Sequence, residues 1–153
     1  SLALDDARKK AGAKHLAGLD GVVGTLLDIV EVDEGWQSAF EAAAGEALAL
    51  AKAQGLPLGP TLEILTSGAA HSWMLGDRGP RMAKHAFDDV TSAVDIFVKD
   101  MSLVLDATRA SKFPAPLAHA AYMAFLSTSS RGLGQVDDSA VITDYEQRTG
   151  GEA

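Results

Sequence analysis

The chain has 153 residues, 13 Lys+Arg against 21 Asp+Glu for a formal charge of −8, and 47% hydrophobic residues. This is enough for one globular domain with its own core, and the acidic balance argues against a nucleic-acid or anionic-membrane partner. No apolar run approaches the ~20 residues of a membrane span, no signal-peptide pattern opens the chain, and the absence of cysteine excludes disulfides, thiol nucleophiles and Cys-based metal sites and fits a cytoplasmic setting.

Residues 1–18 are small, charged and alanine-rich and read as a short helix ending at Gly18 and Gly21. From Val22 to Val32 the chain is rich in β-branched residues, with apolar side chains on both faces of a strand. A lone strand cannot satisfy its backbone, so this short β element near 24–32 either pairs with a second copy of the chain or turns helical. Asp33 suits an N-cap. Glu34 to Gln54 has helical periodicity, with Trp36, Phe40, Ala43, Ala44, Ala47, Leu48 and Ala51 expected on the buried stripe. Gly55 stands where a left-handed C′ residue is wanted, Pro57 prevents continuation, and Gly45 is small enough to admit a neighbouring helix.

Pro60 fits the first turn of a second helix that turns Leu62, Ile64 and Leu65 inward and ends at Ser67-Gly68. His71 to Asp77 reads as a short helix broken by Gly79-Pro80, with at most one turn over residues 81–84. Ser92 to Lys112 is a long amphipathic helix burying Ile96, Phe97, Met101, Val104 and Leu105, with Asp95 and Lys99 spaced as an i,i+4 ion pair. After Phe113-Pro114-Ala115-Pro116, a helix over Leu117–Ser130 buries Tyr122, Phe125 and Leu126. A turn at Gly132-Leu133-Gly134 leads to a last helix capped by Asp137 or Asp138 and carrying Val141, Ile142 and Tyr145. The expected fold is therefore mainly α, a bundle-like domain of five or six helices with one long helix.

Local chemistry is sparse. The four histidines, His15, His71, His85 and His119, show no paired metal spacing, and no nucleophile elbow, Walker loop or strand-linked G-x-G-x-x-G is present. No catalytic or metal-ligating residue is assigned. The densest basic cluster is Arg78, Arg81 and Lys84. It either grips a phosphate or carboxylate or, the favoured reading, pairs with nearby acids such as Asp77 or Asp88. Lys99 reads either as a snorkelling surface residue or as a functional cation.

Two resemblances follow from longer motifs. Ser72-Trp73-Met74, Arg78-x-Pro80-Arg81-Met82 and Phe97-Val98-Lys99-Asp100-Met101 occur in an order that resembles the C-terminal helical domain of 3-hydroxyisobutyrate dehydrogenase-like β-hydroxyacid dehydrogenases, over about residues 42–147. Residues 93–100, 113–117 and 137–142 resemble the L-threonate dehydrogenase branch in particular. The resemblance implies that Lys99 and Asp100 match the cofactor-proximal Lys-Asp pair of a family that uses NAD(P). No residue before Glu41 fits that family's catalytic-lysine pattern. Residues 18–45 instead resemble the opening of an SMC-type hinge domain.

Together these resemblances imply a chimera, with a hinge-like fragment over 1–45 and a dehydrogenase-like helical domain over 46–153 packed as one folding unit. Serine at position 1 points to a trimmed, engineered chain. The expectation is a non-catalytic domain, without cofactor of its own and with Lys99 and Asp100 vestigial, that forms a homo-oligomer, a dimer first. The alternative is a detached dehydrogenase domain that needs a nucleotide-binding partner domain. The absent cofactor site carries the family's chemistry, which is the reason for expecting no enzyme.

Overall fold

The computed structural model describes residues 34–69 and 71–148. They fall in the compact unit Glu34–Ala153. The helix expected over 1–18, the β element near 24–32, the Asp33 cap and the Trp36 side chain lie outside the described residues. Six α-helices order the rest: α1 (Glu34–Ala53), α2 (Leu58–Ser67), α3 (Trp73–Lys84), α4 (Val94–Ser111), α5 (Pro116–Thr128) and α6 (Ile142–Arg148). A π-helical turn, Ser129–Leu133, and a 3-10 turn, Asp138–Val141, lie between α5 and α6. Among the described residues β structure is confined to one antiparallel bridge, Ala93 with Asp137. The fold is the mainly α one expected.

Helix α1 runs unbroken through residues 45–46 and ends as its sequence dictates. Gly55 takes φ 73°, its N–H bonds the Lys52 carbonyl at 2.9 Å, and Leu56 N–H reaches the Ala51 carbonyl at 3.0 Å. This is a Schellman cap closing the free carbonyls. The face α1 buries meets the expected stripe at Ala44, Leu48 and Ala51 and departs from it elsewhere. Ser38, Glu41, Ala42, Gly45, Leu48 and Ala49 point inward, whereas Ala43 and Ala47 are exposed and Phe40 is 54% exposed. Phe40 lies on the opposite side of the helix from Gly45, given 100° per residue.

Close approach decides between the two faces. A Cβ on Gly45 would lie 3.5 Å from Ile142 Cα and from Val141 Cγ1, so neighbouring backbone packs directly on this strip of small residues. Alanines on both sides of α1 blur the periodicity. Phe40→Ala is accordingly expected to cost under ~1 kcal/mol rather than the 3–5 kcal/mol of a buried phenylalanine, as read by urea unfolding.

The same shift of face appears elsewhere. In α2, Leu62 and Leu65 pack on the core but Ile64 is 71% exposed. In α4, Val94, Phe97, Met101 and Leu105 form the buried stripe, and Ile96 faces out. Gly79-Pro80 does not break α3, which continues to Lys84. Pro80 lacks the N–H that would bond the Gly76 carbonyl, but burial of Arg78, Gly79 and Met82 holds the helix across that gap. Gly79 touches α2 so closely that an added Cβ would meet Leu62 Cδ1 at 2.5 Å.

The core lies between α1, α4 and α5. Leu48, Met82, Met101, Phe125 and Ile142 are fully enclosed, and the Phe97 and Phe125 rings stack with centroids 5.1 Å apart. α5 and the short turns after it carry the chain back over α4. The segment 134–138 lies beside the entry to α4 through Val94 N–H to the Val136 carbonyl (3.1 Å), Asp95 N–H to the Gly134 carbonyl (2.9 Å) and Asp138 N–H to the Ser92 carbonyl (2.8 Å).

Candidate functional site

That return segment brings Asp137 and Asp138 against the arginines of α3. Arg78 grips Asp138 from two sides: Nε lies 2.8 Å from Oδ1, and Nη2 donates to Oδ2 at 3.1 Å. The Nε–H is not aligned on Oδ1, so that contact is ionic rather than a second hydrogen bond. Nη1 binds Asp77. The guanidinium also lies under the Trp73 ring, its carbon 5.7 Å from the centroid, while the ring itself is 64% exposed. Burial would lower the Arg78 pKa, but Asp138 and its neighbouring acids outweigh burial and raise it, so Arg78 stays charged.

Asp137 is the most heavily hydrogen-bonded acid of the cluster. Its Oδ2 accepts from Thr91 N–H and Thr91 Oγ1 at 3.0 Å each and from Arg81 Nη1 at 3.1 Å. Its Oδ1 accepts from Ser139 N–H at 3.2 Å and Ser139 Oγ at 2.5 Å. Burial pushes its carboxyl up, and the bonds from Ser139 and Thr91 overcome that and hold it below the usual range. The expected cap is thus real: Asp137 closes the 138–141 turn. Asp138 is pushed up to about 6 by burial, against the pull of Arg78.

The arginines therefore pair with carboxylates, the reading favoured from sequence, and Asp77 is among the partners. The principal acids, however, come from residues 137 and 138 instead of Asp88. Spacing along the chain carries no trace of a contact closed by a distant turn. Glu41 completes the cluster from α1, fully buried, with Oε1 3.9 Å from Arg78 Nε. Periodicity alone does not single it out, and the only signal for it is a glutamate among the small residues of α1.

Lys99 and Asp100 sit on α4, one turn after Asp95. Lys99 Nζ lies 2.8 Å from Asp100 Oδ1, with the lysine side chain 65% exposed and the aspartate 15%. Asp95, expected to pair with Lys99, binds the loop after α5 instead, accepting from Ser129 Oγ at 2.6 Å and Gln135 Nε2 at 2.8 Å. A Cβ on Gly134 would collide with that carboxylate. Lys84, His71, His85 and His119 are exposed, and His85 Nε2 meets Glu146 Oε1 at 3.0 Å. Among the described residues no group of three His, Asp or Glu is placed to hold a metal, and no helix is long and apolar enough to cross a membrane.

Residues 38–145 match the family model described as NAD-binding of NADP-dependent 3-hydroxyisobutyrate dehydrogenase, and the chain belongs to that family. Residues 19–50 also match the SMC flexible hinge domain, so the two matches overlap within α1.

The chain is 48% identical to the L-threonate dehydrogenase of Escherichia coli K12 over 135 residues, covering 86% of this chain and 43% of that protein. It is 41% identical to the L-threonate dehydrogenase of Cupriavidus necator over 134 residues, covering 87% and 42%. A 3-hydroxyisobutyrate dehydrogenase structure from Salmonella typhimurium superposes with a TM-score of 0.70 at 41% identity, over 78% of this chain and 41% of that one. The chain thus spans less than half the length of these relatives. The expectation of a non-enzyme is corrected by these names: the lineage is that of a dehydrogenase, of which this chain matches a part.

Proposed function

We propose that this chain serves as the C-terminal helical domain of an NAD(P)-dependent dehydrogenase of the L-threonate type, with Lys99 and Asp100 turned to the cofactor of a companion nucleotide-binding domain. The observation that carries this reading is the exposed Lys99 beside Asp100, within a stretch 48% identical to an L-threonate dehydrogenase. The residues fit one part of the task. Lys99 offers a cation to a phosphate or carboxylate brought by the second domain, and Asp100 holds the ammonium in place. When bound, the nicotinamide supplies the hydride-accepting ring. Arg78 and Asp138 fix α3 to the turn before α6, and Asp95 ties the 129–135 loop to α4, so the surface carrying Lys99 is set before a partner docks.

The test is a fusion of this chain, through the start of α1, to the nucleotide-binding domain of the E. coli L-threonate dehydrogenase. NAD(P)H formation from L-threonate is expected, falling at least about tenfold in Lys99→Ala because a charged contact is lost. Turnover unchanged by Lys99→Ala would refute the role of that residue, and a folded but inactive fusion would refute the reading as a whole. The reading carries a cytoplasmic setting and a dimer with it. The dimer is supported by an apolar groove of ≈ 270 Å³ beside exposed Phe40 and Leu117, and light scattering at tens of micromolar checks it.

A further inference from the structure

The Arg–Asp hub leaves polar atoms over. Ser38 Oγ, both carboxyl oxygens of Glu41 and Asp138 Oδ1 are buried without a hydrogen-bond partner. Such atoms are rare in a folded interior, and each costs roughly 1–3 kcal/mol if truly unpaired. They share one location. Arg78 Nε is 2.8 Å from Asp138 Oδ1 and 3.9 Å from Glu41 Oε1, and Ser38 is three residues before Glu41 on the same face of α1.

Charge counting shows what is missing. Two arginines, Arg78 and Arg81, enter the hub, and two buried aspartates, Asp137 and Asp138, answer them, with the partly exposed Asp77 also on Arg78. A third buried anion at Glu41 would stand uncompensated, at a cost of several kcal/mol. Two carboxyl groups facing one guanidinium N–H satisfy their oxygens if one of them carries a proton and donates it to the other. Asp138 holds the ion pair with Arg78, so it is the acceptor. Glu41, farther from the guanidinium, is the acid.

We propose that Glu41 and Asp138 hold a single proton between them, Glu41 as donor and Asp138 as acceptor, so that the packing of α1 on the 138–141 turn is a proton-dependent latch. The charged groups acting on Glu41 are Arg78 from α3 and Asp137 and Asp138 from the 138–141 segment and its cap. Burial foremost, and then Asp138, raises the Glu41 pKa well above the ordinary value, with Arg78 opposing. A carboxyl raised in this way stabilises the fold most in acid, and its contribution is lost as pH rises through the folded value. Loss of the proton leaves two anions facing each other across the α1 packing surface. Glu41 lies within residues 38–50, where the two family matches overlap.

The experiment is a carbon-13 NMR titration of the side-chain carboxyls in the full chain, with Glu41 and Asp138 assigned by through-bond correlation. At neutral pH, Glu41 is expected at a protonated carboxyl shift and Asp138 at an ionised one. The folding equilibrium constant should fall by up to about tenfold per pH unit across the Glu41 titration. Glu41→Gln supplies a permanent donor and should abolish the slope above about pH 6, leaving below it only the part that Asp138 contributes. Glu41 ionising in the ordinary glutamate range, Asp138 protonated at neutral pH, or a slope above about pH 6 that survives Glu41→Gln would each overturn the proposal. The wild-type titration decides it even if the variant does not fold.

Discussion

Arg78→Ala is expected to be among the most damaging single substitutions in this domain, at about 3–5 kcal/mol. The side chain is 8% exposed and faces the fully buried Asp138. Its removal strands that carboxylate beside Asp137 without the charge that lets it remain ionised. It also frees the exposed Trp73 ring from its cation, a smaller loss. The sign of the pH dependence follows from Asp138, already pushed up to about 6 by burial with Arg78 present. Without Arg78 its folded pKa climbs further above that of the unfolded chain. The variant then gains stability as pH falls, and its deficit against wild type shrinks toward acid. Urea unfolding at several pH values measures both effects. A deficit below ~1 kcal/mol at neutral pH would mean that water, not Arg78, serves Asp138.

Phe125→Ala carries the second large expected effect, again about 3–5 kcal/mol. The ring is fully enclosed and stacked on Phe97, at the contact between α4 and α5. Truncation removes the buried area of one ring and the stacking contact of another, and the surrounding helices are too tightly cross-tied to collapse into the space. Phe40 offers the comparison within the same chain. The two residues are chemically identical and both sit on helices, but one is 0% and the other 54% exposed. Their difference in measured cost should track burial alone. Equal losses at the two positions would show that the face assigned to α1 is wrong.

The contrast between these phenylalanines shows where periodicity carries information. α4 and α5 place large residues at helical steps on one side, so Phe97, Met101, Leu105 and Phe125 are legible as core from residue spacing alone. In α1 the apolar residues are mostly alanines, spread round the cylinder, so the expected stripe finds Ala44, Leu48 and Ala51 on the buried face but carries the large Phe40 with them by mistake. Side-chain size there opposes burial, because Gly45 admits the backbone of residues 141–142 to 3.5 Å from its Cβ position. α3 shows a second limit. Gly79-Pro80 is a sound breaking signal locally, and only burial of Arg78 and Met82 on the rest of the molecule keeps that helix whole.

The helical class, the Schellman end of α1 at Gly55, a cap at Asp137 or Asp138 and the family are all written in the amino-acid order, because each rests on neighbouring residues or on a long ordered motif. Three features required the folded chain: which acids answer Arg78 and Arg81, the attachment of Asp95 to the loop after α5, and the sealing of Glu41 beside Asp138. Those contacts join residues tens of positions apart, Arg78 to Asp138 across 60. Local propensity has no term for such a contact. It is fixed when the return of the chain beside α4 removes water from charges that are independent in the unfolded chain, and makes each one's ionisation depend on the others.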